Sequence, residues 1–222
     1  MKAMAFDAYG TLFDVFSVTA LGEELFPGKG DALAQLWRLK QLQYSMLRSL
    51  MGRHRDFWRL TGDALVYAAR SLGLDLTPDR RARLLEAYLT LAAFPDVRPG
   101  LAALKARGLR LAILSNGEPK MLEAAARSAG IVDLLDAILS VEEVKIFKPS
   151  PRVYQLAPEH LRVRPGELGF VSSNGWDVAG AASTGLRTFW IQRRAAEPPE
   201  ELGFAADHTV STITDLPALL RE

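Results

Sequence analysis

The sequence contains no cysteine and only three histidines in 222 residues. The first absence removes disulfide staples, a thiolate nucleophile and cysteine metal sites. The second leaves no His-Glu-x-x-His run and no paired spacing among His54, His160 and His208, so nothing reads as a zinc-hydrolase centre. Excess charge is missing too: 27 Lys plus Arg against 26 Asp plus Glu give a net +1, so neither a nucleic acid nor an acidic membrane surface is expected as a partner. No apolar run approaches the ~20 residues needed to cross a bilayer. The opening MKAMAFDAYG has one Lys, no long apolar stretch and Asp7 inside its hydrophobic part. That is not the make-up of a secretory signal, and a cytoplasmic protein is expected. The glycine patterns of dinucleotide and Walker phosphate loops are absent, as is the Gly-x-Ser-x-Gly elbow, so no nucleotide cofactor and no serine-hydrolase chemistry are expected.

What the chain does have is rhythm. Short apolar runs at 3–6, 109–114, 137–139, 168–171 and 188–191 alternate with helical stretches at 100–107, 119–129, 151–160 and 178–184. Continuous apolar runs suit strands buried on both faces, and the alternation predicts an α/β fold with a doubly wound, mostly parallel sheet. One stretch breaks the rhythm. From about 18 to 93 the pattern is helical throughout, with breaks at Pro27-Gly28, Gly52, Gly73 and Thr77-Pro78. It is far longer than the dozen or so residues of an ordinary crossover. This divides the chain into an α/β core of residues 1–15 and 94–222 and a helical cap subdomain of residues 16–93 above the end of the first strand. Within it, Leu33, Trp37, Tyr44, Leu47 and Met51 form one apolar stripe, and Leu36, Leu39, Leu42, Met46 and Leu50 a second. A helix apolar on two sides is buried between layers or meets another subunit. The AAEPPEEL segment from Ala195 reads as an exposed loop.

Open α/β sheets bind ligands outside the carboxyl ends of their strands. The polar residues behind the apolar runs are Asp7, Tyr9 and Thr11; Ser115, Asn116 and Gly117; Lys148, reached through a short segment; and Ser172, Ser173, Asn174 and Asp177. Such residues also end strands as turn formers and helix caps. Converging from separate strands, they bring together carboxylate, ammonium, hydroxyl and amide, which is the constellation of an active site.

These segments resemble a known family. FDAYGTLFD, LAILSNG, KIFKPSPRVY and FVSSNGWD are similar, in order, to the signature motifs of the haloacid dehalogenase superfamily, and WRLKQLQY and LRSLMGRHRDFW resemble its L-2-haloacid dehalogenases. The likeness covers nearly the whole chain and weakens after about Arg193. It implies a Rossmann-like core in which Asp7 is the nucleophile. A carboxylate is a poor nucleophile in water; in a closed site it can attack carbon and form an ester. Lys148 would balance and orient its charge from within about 4 Å. Tyr9 stands where the phosphatase branch carries a second aspartate as general acid. Halide leaves without a proton, so the resemblance implies dehalogenation with no metal and no cofactor. A phosphatase remains the alternative enzyme, and a non-catalytic binding protein on the same fold the alternative class.

The resemblance distributes the remaining roles. Arg38, Asn116 and Trp176 would receive the halide. Ser115 and the backbone N–H groups of Ala8 and Tyr9 would hold the substrate carboxylate. Leu42, Phe57, Trp176 and Tyr154 would line the alkyl pocket. Thr11, Ser172, Asn174 and Asp177 would complete the catalytic set, with Asp177 and Ser172 fixing Lys148. The implied reaction converts an (S)-2-haloalkanoic acid to the (R)-2-hydroxy acid in a homodimeric enzyme.

Overall fold

The computed structural model describes residues 1–194 and 196–220. Strand β1 (Ala3–Phe6) is followed by four helices, α1 (Thr19–Leu25), α2 (Gly30–Leu50), α3 (Phe57–Ser71) and α4 (Pro78–Leu89). Then come α5 (Val97–Ala106), β2 (Arg110–Ser115), α6 (Pro119–Ser128), β3 (Ala137–Ser140), α7 (Pro151–Leu161), β4 (Leu168–Ser172), α8 (Gly175–Ala182), β5 (Arg187–Ile191), β6 (His208–Val210) and the short α9 (Leu216–Leu219). Among the described residues, no helix is long and apolar enough to cross a membrane.

The six strands form one parallel sheet in the order β3-β2-β1-β4-β5-β6. This is the α/β architecture expected from the alternating pattern. The chain winds outward from β1 to β3, returns to the other side of β1, and winds outward again. Crossovers of one hand then place helices on opposite faces, and the order reverses at β1, where such sheets open a crevice. All of β1 and β4 is buried, and so is β2 beyond its first residue, which is why their runs are continuously apolar rather than alternating.

Several details differ from the sequence expectation. Ser115 and Ser172 are the last residues of β2 and β4 rather than the first residues beyond them. Helix α8 starts at Gly175, so Asp177 lies in its first turn. Helix α5 starts at Val97 and carries Pro99 in its first turn, where a missing N–H costs no intrahelical bond. Strand β6 was not expected: three residues are too short for periodicity to register, and its pairing with β5 supplies the order.

The helical stretch ends and restarts at the expected breaks. Thr77 caps α4, its side chain accepting the Arg80 N–H, with Pro78 at the first helical position. The two apolar stripes of α2 fare differently along its length. Leu33 and Trp37 are buried, but Leu47 is 43%, Met51 60%, Leu39 59% and Leu50 84% exposed. Packing within the chain therefore covers the start of the helix and leaves its far end bare. In the AAEPPEEL segment, Ala195 lies outside the described residues, and residues 196–202 are exposed and outside helix and strand.

The turn after β1 holds the backbone in an unusual shape. Gly10 has φ +95°, and a methyl group there would sit 3.3 Å from Ser173 Oγ. Gly10→Ala is expected to lower the free energy of unfolding by about 1–2 kcal/mol in urea titration, from the left-handed backbone alone.

Candidate active site

Asp7 follows the central strand at the point where the strand order reverses. Phe6 pairs with Ile113 on one side and Val171 on the other, which sets Asp7 level with the ends of β2 and β4. Its Oδ1 accepts from Lys148 Nζ at 3.1 Å. Its Oδ2 accepts from Asn174 Nδ2 at 2.8 Å and from Thr11 Oγ1 at 3.1 Å. Lys148 Nζ also lies 2.8 Å from Asp177 Oδ2, and the lysine side chain has no exposed surface. The face of Phe170 closes over the ammonium at 4.8 Å. Burial pushes the Asp177 carboxyl up to about 6; the Lys148 ammonium pulls it down, and the neighbouring Asp7 carboxylate pushes it up again. Among the described residues, no third His, Asp or Glu joins these two carboxylates to make a metal-ligand set.

The hydroxyl groups beside Asp7 form a small network. Ser173 N–H donates to Thr11 Oγ1 at 2.8 Å, Asn174 N–H donates to Ser172 Oγ at 3.1 Å, and Ser173 Oγ donates to Gly10 O at 2.7 Å. Ser172 thus supports Asn174; the contacts of Lys148 Nζ are with Asp7 and Asp177 rather than with this hydroxyl. From the far end of the sheet, Arg193 donates to Thr11 O at 2.7 Å while pairing with Asp96 at 2.7 Å, so it pins the turn that carries Thr11.

A narrow pocket, a cavity of about 10 Å³, lies beside Asp7. Its walls are Asp7, Tyr9, Arg38, Leu42, Phe57, Ser115, Asn116, Asn174 and Trp176. Asn116 Oδ1 accepts the Lys148 backbone N–H at 2.9 Å, which orients the amide and leaves Nδ2 as its remaining donor. Ser115 Oγ accepts from Gly117 N–H at 3.1 Å and keeps its own proton for a ligand. No acceptor among the described residues takes the backbone N–H of Ala8 or Tyr9. Two free amides and a hydroxyl at one strand end suit a bound anion. Leu42, Phe57 and Trp176 supply the apolar part of the lining. Arg38, Leu42, Asn174 and Trp176 also face an outer cleft of about 450 Å³, so these four side chains partition pocket from cleft.

Tyr154 is a correction. It was expected in the alkyl wall, but it lies behind the site, 1% exposed, with its hydroxyl donating to Asp177 Oδ1 at 2.7 Å. Its place on α7 turns it toward α8, and burial beside the Asp177 carboxylate pushes its phenol well above the usual range, so it remains a donor. Gly180 makes room for it: a methyl there would come within 2.5 Å of the Tyr154 oxygen. Tyr9 is packed among Phe13, Phe57 and Tyr88 at 5.7–6.3 Å between ring centroids, and its buried hydroxyl has no hydrogen-bond partner among the described residues.

Arg38 reaches down from α2 to the strand ends. Its Nη2 donates to Tyr9 O at 3.0 Å and lies 3.4 Å from Asn174 Oδ1, and its Nη1 donates to Gln41 Oε1 at 2.9 Å. Gln41, Thr61, Tyr88 and Arg193 were not singled out from sequence. The three-residue spacing of Arg38 and Gln41 on one helix was a usable signal. Tyr88 and Arg193 arrive from distant segments and carried none.

Comparison with known proteins agrees with this architecture. Residues 1–185 match the family of haloacid dehalogenase-like hydrolases. The chain is 47% identical to (S)-2-haloacid dehalogenase 1 of Pseudomonas sp. (strain CBS-3), over 99% of this chain and 96% of that protein. It is 42% identical to (S)-2-haloacid dehalogenase 4A of Burkholderia cepacia, over 99% and 95%. The crystal structure of L-2-haloacid dehalogenase from Xanthobacter autotrophicus with chloropropionic acid covalently bound superposes with a TM-score of 0.93 at 42% identity, covering 100% of this chain and 98% of that one.

The buried charges generate a stability prediction. Lys148→Met leaves Asp7 and Asp177 facing each other without a cation, and the folded state is expected to lose about 3–5 kcal/mol in denaturant titration near neutral pH. A loss within experimental error of zero would show that the ammonium does not hold the two carboxylates together.

Proposed function

The chain belongs to the haloacid dehalogenase-like hydrolases and, within them, to the (S)-2-haloacid dehalogenases, and from that premise we propose that it hydrolyses short (S)-2-haloalkanoic acids to (R)-2-hydroxyalkanoic acids through an ester on Asp7. The observation that carries the proposal is the pocket: Asp7 is the one acid among its lining residues, and it faces donors and apolar groups instead of a second carboxylate. A phosphatase needs a proton donor for its leaving group; the residue in the corresponding place here is the phenol of Tyr9, tucked among aromatic rings.

In the first step an Asp7 carboxylate oxygen forms a bond to C2 of the substrate while the carbon–halogen electron pair departs with the halide. Backside attack inverts the carbon. Lys148, Asn174 and Thr11 hold the carboxylate in one orientation, which favours a near-attack geometry. Ser115 and the free amides of Ala8 and Tyr9 hold the substrate carboxylate. Arg38 and the Nδ2 donor of Asn116, beside the Trp176 ring, receive the halide as its charge grows. Leu42, Phe57 and Trp176 enclose the alkyl group. In the second step water attacks the Asp7 carboxyl carbon, the ester opens, and Asp7 is restored without touching the stereocentre again. Thr11 and Asn174 hold one Asp7 oxygen beside the approach of that water, Ser172 supports both of them, and Asp177 with Tyr154 steadies Lys148. No metal or organic cofactor takes part. We further propose that residues 16–93 act as a cap subdomain over the core of residues 1–15 and 94–222. The enzyme works in the cytoplasm as a homodimer, the exposed end of α2 serving the subunit contact.

Purified protein incubated with each enantiomer of 2-chloropropionate in excess EDTA is expected to release chloride from the (S) form and yield (R)-lactate. Asp7→Asn should lower the rate by at least about a thousandfold. In heavy-oxygen water under single-turnover conditions the label should enter Asp7; label appearing directly in the hydroxy acid would overturn the ester. The acid side of the rate profile is a separate check. As pH falls through about 6 Asp177 gains a proton and loses its charge, so Lys148 loses a partner and kcat should decline. A flat kcat from about pH 5 to about pH 8 would remove Asp177 from the working site.

A further inference from the structure

Arg38 is held in an unusual way for a guanidinium in a closed site. Among the described residues it donates to Tyr9 O, Asn174 Oδ1 and Gln41 Oε1 and also meets the Tyr88 hydroxyl, all of them neutral. Of these, Gln41 is fully buried and belongs to α2 itself. Burying an amide is unfavourable unless its hydrogen bonds are made, and here they are made in a directed chain. A guanidinium has only donors, so Gln41 must turn its oxygen toward Arg38. Tyr88 OH donates to the same oxygen at 2.9 Å. The amide nitrogen must then face away, and it donates to Thr61 Oγ1 at 2.7 Å. Thr61 Oγ1 donates in turn to Phe57 O at 2.7 Å, beside the apolar wall of the pocket. Trp37 Nε1 secures the same turn through Thr61 O at 2.8 Å. Three helices, α2, α3 and α4, thus converge on one amide.

A carboxylate in place of that amide would grip Arg38 more strongly, since charge-assisted bonds to guanidinium are about twice as strong as neutral ones. It would also cancel the charge that a departing anion needs. We propose that Gln41 is a positioning residue for dehalogenation: held by Thr61 and Tyr88, it aims Arg38 with a neutral oxygen and so reserves the guanidinium charge for the leaving halide. This rests on the reading of Arg38 as the halide-receiving group. The amide is a matter of chemistry and not of shape, because glutamate has nearly the same volume.

The test compares wild type with Gln41→Glu, Thr61→Val and Arg38→Met, each first checked for folding by circular dichroism. The readouts are kcat, KM for (S)-2-chloropropionate and inhibition by added bromide, across pH. In Gln41→Glu, kcat should fall by about a hundredfold at alkaline pH, bromide inhibition should weaken, and the ratio to wild type should recover as the introduced carboxyl gains a proton at low pH. Thr61→Val keeps the shape but releases the amide to flip. It should lower kcat by about tenfold with KM little changed, and it serves alone if Gln41→Glu does not fold. The inference is overturned if Gln41→Glu matches wild type at all pH, or if its loss is the same at every pH, or if Thr61→Val keeps full kcat. Arg38→Met separates the two levels. If it retains bromide inhibition, the reading of Arg38 fails; if it loses that inhibition while the other two variants do not, the inference about Gln41 alone fails.

Discussion

A lysine with no exposed surface, set between two carboxylates, is the interaction around which this molecule is arranged. Lys148 lies 3.1 Å from Asp7 and 2.8 Å from Asp177. Charges withdrawn from water in this way persist only when each has its partner and its remaining hydrogen-bonding capacity is met. Asn174, Thr11 and Tyr154 meet it for the two carboxylates, and Phe170 covers the ammonium. The fold supplies the three charged residues from separate places: the end of β1, the segment before α7, and the first turn of α8. Parallel strands bring those places together because every strand ends on the same side of the sheet.

The cluster fixes one end of the site, and the helical insertion fixes the other. Arg38 crosses from α2 to the turn after β1, where its donors meet Tyr9 O and lie near Asn174. The same asparagine also donates to Asp7, so one side chain touches both the carboxylate and the cation across the pocket. The space between them is narrow, a cavity of about 10 Å³, and leaves little place for accompanying water. A carboxylate with few waters to shed reacts at carbon far more readily than one in bulk solvent, whether that is described as desolvation or as replacement of water by oriented donors. Positive charge is placed with equal economy. Lys148 is neutralised by acids, whereas Arg38 is held by neutral oxygens. In the proposed reaction the first would steady the attacking carboxylate and the second would stay open to an anion.

The division of labour between chain and fold is visible in particular residues. Apolar runs mark where strands lie, and the polar residues behind each run mark the site. Asp7, Asn116, Lys148 and Asn174 were therefore accessible without coordinates, as was the phenol at position 9 in place of a carboxylate. The helical insertion and its breaks were equally legible, since proline, glycine and a capping threonine act locally. Tyr154 shows the limit. Its neighbourhood in the KIFKPSPRVY segment suggested the pocket, but the rotation of α7 aims its hydroxyl at Asp177. Gln41, Thr61 and Tyr88 carry no motif of their own within the helical insertion, and three helices pack them into one hydrogen-bonded chain. Strand β6 and the Arg193 contact with Thr11 came from a tail whose sequence has no marked period.

By itself, then, the sequence determined the α/β architecture, the order of the motifs and the place of the polar residues at the strand ends, because periodicity and strand ends are local properties written along the chain. Only the tertiary structure decided which side chains support the reacting groups, which wall of the pocket each residue builds, and that the end of α2 stays bare. Those outcomes depend on the angle at which one element packs on another. A few degrees of helix rotation move a side chain from a pocket to the layer behind it without altering any pattern in the sequence.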